Sequence, residues 1–342
     1  MRLIRNLSLE EIQDWLIENG EKSFRGKQIW EKIWKQRISN FQQINNIPKE
    51  LRAKLGQDFE IGTVQEYKRQ VSNDKTIKFL FRLYDGKEVE GVLIPAGKRM
   101  TACVSSQVGC SLDCKFCATG YLERERNLEG FEIVDQARII HLTALEAYGQ
   151  PLTNVVYMGM GEPLLNYKNV INSIHSFKDE SIWGMSPRRL TISTSGIAKM
   201  MHKLADEDLN VNLALSLHAA NDEKRSAIMP INEKNNLDLL STALKYGVEK
   251  TGIRSTLEYC VIEDTNAEQE EAKELVEFAK QFPCKINLIE YNPISFADFK
   301  SANEGKIDRF AAMLEAHKLI VNVRRSRGKD IDAACGQLAG KN

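Results

Sequence analysis

From Lys98 onward the chain alternates two kinds of segment, and this alternation limits its possible folds more than any other feature. Apolar stretches of strand character, "TACVSS", "NVVYMG", "RLTISTS", "VNLALSLH", "STLEYCVI", "KINLIEY" and "LIVNVRR", are separated by stretches with apolar residues at helical spacing. Among the latter are "FEIVDQARIIHLTALEAYG", "NLDLLSTALKYGVEK" and "AEQEEAKELVEFAKQF". Strand–helix repeats build a parallel sheet, because each parallel strand needs a crossover to return the chain to the same edge. About six such units fall short of the eight of a closed barrel, so the expected fold is an α/β partial barrel of (β/α)6 type. Functional side chains in such folds gather where the strands end.

The chain before Lys98 has other rhythms. "SLEEIQDWLIENG" places Ser8 as N-cap, Glu11 at the capping-box position and Gly20 as a stop, and "FRGKQIWEKIWKQ" repeats apolar residues at helical spacing. A small helical module over residues 1–62 follows. Residues 63–97 alternate instead, in "KTIKFLFRLYDGKEVEGVLIP", with Asp85-Gly86 as the turn of a connecting β-hairpin. The barrel then occupies 98–342. No linker rich in Pro, Gly or Ser separates these parts, so they are expected to pack closely. The start, "MRLIRNLSLEEIQDW", reads as an amphipathic helix rather than a secretory signal, and no apolar run nears the roughly 20 residues that span a bilayer. A cytoplasmic protein without membrane contact is expected.

Lysine plus arginine equal aspartate plus glutamate at 47 each, so the formal net charge is zero, but the charges are unevenly placed. Between Lys22 and Lys54 the basic residues Lys22, Arg25, Lys27, Lys32, Lys35, Arg37, Lys49, Arg52 and Lys54 face only Glu31 and Glu50, a local charge of +7. A second run, "VRRSRGKD", holds Arg324, Arg325, Arg327 and Lys329. Two basic patches on a neutral chain imply a polyanion held between them, since phosphate contacts dominate affinity for nucleic acid. Either patch alone is equally consistent with a solvated face.

Seven cysteines are an odd number without disulfide-scaffold spacing, and clustered cysteines in a reducing compartment bind metals or catalyse. Four of them fall in "CVSSQVGCSLDCKFCATG", where Cys110, Cys114 and Cys117 follow the spacing C-x3-C-x2-C just after the first barrel strand. Structural zinc wants four Cys or His ligands, yet there is no second C-x2-C, and the next His, His141, lies well into the following helix. A 4Fe–4S cluster on three thiolates instead leaves one iron open to a small molecule. That spacing in that place resembles the radical S-adenosylmethionine (SAM) pattern, in which the amino and carboxylate groups of SAM chelate the open iron. Later strand ends add Gly159, Gly161 and Glu162 in "YMGMGEPL", where a carboxylate can accept an ammonium. They also add Ser193 to Gly196 in "STSG", Ser216 to His218 in "SLH", and Asn292 in "YNPIS". Singly these read as turns or helix caps; jointly, on one rim, they favour ligand contacts.

"CVSSQVGCSLDCKFCATG", "MGMGEPLLN", "SLHAA", "NLIEYNPI" and above all "DIDAACGQLAG" resemble the RlmN type of radical SAM enzyme, as does "FRGKQIWEKIWKQRI" in the N-terminal, RNA-binding part. That family methylates carbon 2 of adenosine in 23S rRNA, at the peptidyl-transferase centre, and next to the anticodon in certain tRNAs. The resemblance implies a 4Fe–4S cluster on Cys110, Cys114 and Cys117, and SAM contacts at Gly161, Glu162, Ser193, Ser216, Leu217, His218 and Asn292. It further implies a methyl-carrying Cys335, a partner Cys103, a general base Glu90, and two SAM molecules per turnover. Its partners would be 23S rRNA, tRNA and an electron donor such as flavodoxin or ferredoxin, with the chain a monomer. Cys260 and Cys284 lie in apolar strands and read as core. Two alternatives stay open: a Cfr-type enzyme, with almost all the same motifs but acting at carbon 8, and a non-enzymatic, metal-stabilised RNA-binding or ribosome-assembly protein, which the zinc reading would support.

Overall fold

The computed structural model describes residues 1–36 and 38–339; Arg37 of the basic segment and Gly340 of the C-terminal motif lie outside the described residues. The N-terminal part contains β1 (Arg2–Leu3), α1 (Leu9–Glu18), α2 (Arg25–Trp34), α3 (Lys49–Asp58) and β2 (Phe59–Glu60). Next come β3 (Gln65–Val71), β4 (Ile77–Arg82), β5 (Glu88–Ala96), β6 (Arg99–Cys103), β7 (Gln107–Val108) and β8 (Arg126–Asn127). The rest alternates: α4 (Gly130–Tyr148), β9 (Asn154–Tyr157), α5 (Tyr167–Lys178), β10 (Leu190–Thr194), α6 (Ala198–Asp206) and β11 (Asn212–Ser216). It finishes with α7 (Asp222–Ile228), α8 (Leu237–Thr251), β12 (Ser255–Val261), α9 (Gln269–Ala279), β13 (Cys284–Glu290), α10 (Glu304–Glu315) and β14 (Val321–Arg324).

One sheet of ten strands organises the molecule, in the order β14-β13-β12-β11-β10-β9-β6-β5-β4-β3. From β6 to β14 every neighbouring pair is parallel, and each crossover carries at least one helix. This is the expected partial barrel. Every residue of β12 is buried, because a strand with parallel neighbours on both sides and helices packed outside meets no water. The stretch read as a connecting hairpin does more than connect. β3, β4 and β5 form an antiparallel meander that continues the same sheet through β5–β6 pairing, with the turn at Asp85-Gly86 as expected.

At the N-terminus, α1 begins at Ser8 with the full capping box to Glu11. The sequence places the residues before it in the same helix, but Arg2 and Leu3 pair in parallel with Phe59 and Glu60, and Ile4–Asn6 form a single separate 3-10 turn. A buried charge just beyond Leu3 fixes the module to the barrel. Arg5 forms a bidentate ion pair with Asp135 on α4 and lies over the rings of Trp34 and Phe131, 4.5 and 4.8 Å from their centroids.

Candidate active site

The β7–β8 ribbon, paired Gln107↔Asn127 and Val108↔Arg126, pinches off the loop that carries the three spaced cysteines. The loop folds tightly: Cys117 N–H donates to the Cys114 carbonyl at 3.1 Å, and a Cβ on Gly120 would lie 2.7 Å from that same oxygen. Helix α7 buttresses it, with Lys115 N–H donating to Ile228 O at 3.0 Å and Leu112, Ile228, Met229 and Phe116 packed around the thiols. Burial drives the thiol of Cys110 up to about 11 and those of Cys114 and Cys117 above the ordinary range. The proximity of the other thiols adds to the rise at Cys110 and Cys114, while backbone N–H groups of Leu112 and Ser111 at Cys110, and of Thr119 and Gly120 at Cys117, oppose it. Among the described residues no group of three His, Cys, Asp or Glu side chains converges on a single-ion site. Three thiols near one another, in an apolar setting lined with amide donors, fit the ligands of an iron–sulfur cluster, which they would hold as thiolates.

Around this loop stand the strand ends named by the sequence. Gly161 follows β9 at φ 93°, where a Cβ would collide with Gln107. Glu162 is buried; its Oε2 accepts from Ser195 N–H at 2.7 Å and its Oε1 from Leu164 N–H at 3.0 Å, while burial raises its pKa. Ser193 and Ser216 do not cap helices. Their hydroxyls approach each other at 3.4 Å across the β10 and β11 ends, whereas Ile197 and Asn221 occupy the N-cap positions that follow. His218 has φ 57°, accepts from Cys260 N–H at Nδ1 (2.9 Å), and meets Phe116 of the cysteine loop edge-on. Burial, assisted by the Arg225 charge, lowers its pKa to about 3, so the ring is neutral and Nδ1 is free of a proton.

The remaining predicted residues meet at the C-terminal segment, which crosses the mouth of the barrel as a strap. Ser326 N–H is held by Glu290 at the β13 edge, Gly328 N–H and Asp330 join the β3–β4 turn through Asp74, Ser72 and Asn73, and Asn292 Nδ2 donates to the Cys335 carbonyl at 3.2 Å. Gly336 O accepts from Ala118 N–H at 2.7 Å, one residue beyond Cys117, and Ala339 N–H donates to Glu90 Oε2 at 2.8 Å. Cys335 thus lies between the cysteine loop and Cys103 at the end of β6. Both thiols are pushed up to about 12, chiefly by burial; the next influence is Cys335 on Cys103 and Cys117 on Cys335. Cys335 nevertheless has accessible surface, because the mouth surrounds it without covering it, whereas Cys103 is buried. Cys260 is buried and Cys284 half-buried, Cys284 donating to Ala279 O within the barrel wall.

Among the buried charges that escaped the sequence reading, three lie about this mouth. Lys78 on β4 is 3.3 Å from Glu90. Glu258 on β12 accepts from Asn287 through Oε1 and is among the charges acting on Cys335. Arg225 on α7 is wholly buried behind the cysteine loop. A lone Lys, Glu or Arg inside an otherwise ordinary element is the one available signal, and it is weak, because only the tertiary fold decides which face is inside.

Three thiolates on a loop after the first strand of a parallel partial barrel form the arrangement of a radical SAM enzyme, and the Radical SAM superfamily profile matches residues 104–278. A second profile, the ribosomal RNA large subunit methyltransferase N-terminal domain, matches residues 4–61. A protein of Cytophaga hutchinsonii bearing the name "Probable dual-specificity RNA methyltransferase RlmN" is 55% identical over 99% of this chain and 93% of its own length. One of Christiangramia forsetii with the same name is 49% identical over 99% of this chain and 96% of its own. The crystal structure of a radical SAM methyltransferase from Sphaerobacter thermophilus superposes with a TM-score of 0.92 at 37% identity, covering 100% of both chains. The chain belongs to the RlmN family of radical SAM RNA methyltransferases. Membership brings with it a 4Fe–4S cluster, SAM and an RNA substrate. Among the described residues no helix is long and apolar enough to cross a membrane.

Proposed function

We propose that this enzyme methylates carbon 2 of adenosine in 23S rRNA, at the peptidyl-transferase centre, and beside the anticodon of certain tRNAs. The observation that carries the reading is the meeting of Cys335, Cys103 and the Cys117 end of the cysteine loop at one mouth. Carbon 2 of adenine lies between two ring nitrogens and is electron-poor, so it does not attack a methyl sulfonium, but it does accept a carbon radical.

Cys110, Cys114 and Cys117 would hold the cluster, which when bound supplies the electron that cleaves SAM to a 5′-deoxyadenosyl radical. The residues of the chain do the rest. Glu162 receives the SAM ammonium, and Gly161, Ser193, Ser216, Leu217, His218 and Asn292 seat the remainder. A first SAM gives its methyl to the Cys335 thiolate: the sulfur–carbon bond forms as the sulfonium–methyl bond breaks, and S-adenosylhomocysteine leaves. The radical from a second SAM takes a hydrogen atom from that methyl and leaves as 5′-deoxyadenosine, and the resulting methylene adds to carbon 2. Glu90 removes the carbon-2 proton, and the unpaired electron of the adduct would return to the cluster, which leaves an even-electron ring joined to Cys335 through the methylene. The Cys103 thiolate then attacks the Cys335 sulfur, the carbon–sulfur bond breaks toward the base, which takes up a proton, and a Cys103–Cys335 disulfide remains. Two electrons from outside must reduce it before the next cycle. A donor such as flavodoxin or ferredoxin would serve the cluster, with the chain acting as a cytoplasmic monomer. Residues 1–62 supply the basic surface for RNA, 63–97 join it to the barrel, and 98–342 perform the chemistry.

Incubating the protein with 23S rRNA or tRNA, SAM and a reductant, then digesting the RNA and weighing its nucleosides, tests the reading. The expected product is 2-methyladenosine. A methyl at carbon 8 would place the chain with the Cfr type, and unmodified RNA would end the proposal.

A further inference from the structure

Arg225 has no exposed surface, yet each of its described hydrogen bonds ends on a neutral acceptor. Nε donates to Leu217 O at 3.1 Å, Nη1 to Asn232 Oδ1 at 2.7 Å, and Nη2 to Ser195 O at 2.6 Å and Ser216 O at 3.2 Å. A buried guanidinium held only by dipoles is costly unless a negative charge lies near. Burial works against the charge of Arg225, and the groups that favour it are the Cys114 sulfur in its ionised form and then Asp222, whose own Oδ1 is taken by Asn232 Nδ2 and Leu237 N–H. Its helix also braces the cysteine loop through Ile228 O and Lys115 N–H.

A dicationic iron–sulfur core on three thiolates carries one net negative charge, and one-electron reduction adds a second. We infer that Arg225 is the built-in counter-charge of the thiolate-held cluster, a fixed cation that favours the reduced form while its fork clamps the carbonyls of Ser195, Ser216 and Leu217 on the SAM rim. Glu162 is the complementary case: a buried carboxylate held by two backbone N–H groups, one of them from Ser195, whose carbonyl Arg225 holds, and suited to a cationic ligand. Arg225 is therefore a positioning residue that also sets a potential. The inference rests on the cluster assignment above.

The test is a redox titration of the reconstituted protein, following the reduced cluster by electron paramagnetic resonance, with iron and sulfide measured alongside. Wild type without iron and sulfide would fail the cluster assignment itself, separately from the role of Arg225. Given a loaded wild type, Arg225→Met should shift the midpoint to more negative potential, and Arg225→Lys, which keeps the charge but loses the fork, should stay near wild type while binding SAM more weakly. A loaded Arg225→Met with an unchanged midpoint, or Arg225→Lys shifted as far as Arg225→Met, would overturn the inference. Should Arg225→Met fail to load, Arg225→Gln removes the same charge and keeps an amide donor. Failure of both neutral variants beside normal loading of Arg225→Lys is the charge dependence expected; failure of all three would assign Arg225 to packing alone and also overturn it.

Discussion

The N-terminal module and the C-terminal strap are both fastened to the ten-stranded sheet, one by a buried charge within an apolar wall and the other by scattered hydrogen bonds. Arg5 and Asp135 are each only 4% exposed at the side chain, and Trp34 and Phe131 close over the guanidinium. The strap has little of this. Ala333, Ala334 and Leu338 are its buried apolar residues, and its fixings are spread along it: Gly328 to Asp74, Asp330 to Ser72 and Asn73, Cys335 to Asn292, Gly336 to Ala118, Leu338 to Thr119 and Ala339 to Glu90, with half-exposed ion pairs from Arg325 and Lys329 to Glu290 at its start. A tie of the first kind opens only with the fold, because separating it strands a charge in low dielectric. A tie of the second kind can open locally. The difference matches the tasks proposed for them: the module holds RNA at a fixed place, whereas Cys335 must visit SAM, the base and Cys103 in turn.

The largest expected effect lies on the strap. Cys335→Ala should abolish methyl transfer and leave no RNA on the protein, whereas Cys103→Ala should carry covalently bound RNA through denaturing electrophoresis. Normal turnover by Cys103→Ala, or trapped RNA with Cys335→Ala, would break the proposed roles. At the other tie, Arg5→Met should destabilise the protein by about 3–5 kcal/mol, since Asp135 is left charged and buried. Urea unfolding would measure this, with Arg5→Met plus Asp135→Leu regaining most of the loss; a change below about 1 kcal/mol would mean that the pair is hydrated and the contrast false.

Thiol labelling sharpens the comparison from the strap side. Burial disfavours the thiolate of Cys335 and raises its pKa to about 12, so in cluster-free protein its alkylation rate should keep climbing through pH 9, about tenfold per unit. The rate falls toward acid because the neutral thiol does not react. A plateau near pH 9, the ordinary thiol range, would indicate a strap already detached, and Asp330→Ala should move the curve that way. The smallest effect belongs to the basic surface. Changing Lys27, Lys32 and Lys35 together to Gln should lower RNA affinity and flatten its dependence on salt by up to about three in the log–log slope. SAM cleavage should be unaffected, and RNA binding that is unchanged across salt concentrations would return these lysines to solvent.

What could be read from the sequence divides along the same line between local and distant. The α1 start at Ser8, the turn at Asp85-Gly86 and the parallel strands are set by neighbours in the chain, and they fall where the periodicity puts them. Gly161 and Glu162 stand out for the same reason, within one short motif. Pairing of Arg2 and Leu3 with Phe59 and Glu60 has no local signature, since two residues carry no period. Nor does anything near Arg5 point to Asp135, or near Lys78 to Glu90. The serines at the β10 and β11 ends have good cap chemistry, and they turn toward each other only because adjacent parallel strands end at one level.

The strap also sets an order in time. All ten strands of the large sheet precede it in the chain, so during synthesis the barrel and its cysteine loop emerge before Cys335 does. Folding from the N-terminal side lets the loop be loaded while the mouth still lacks its last wall. Cys103, meanwhile, is sealed into the end of β6. The two thiols proposed to join in a disulfide are therefore kept from meeting as a nascent pair, and in the proposed cycle the enzyme gains the means to oxidise itself only after the parts that control that oxidation are in place.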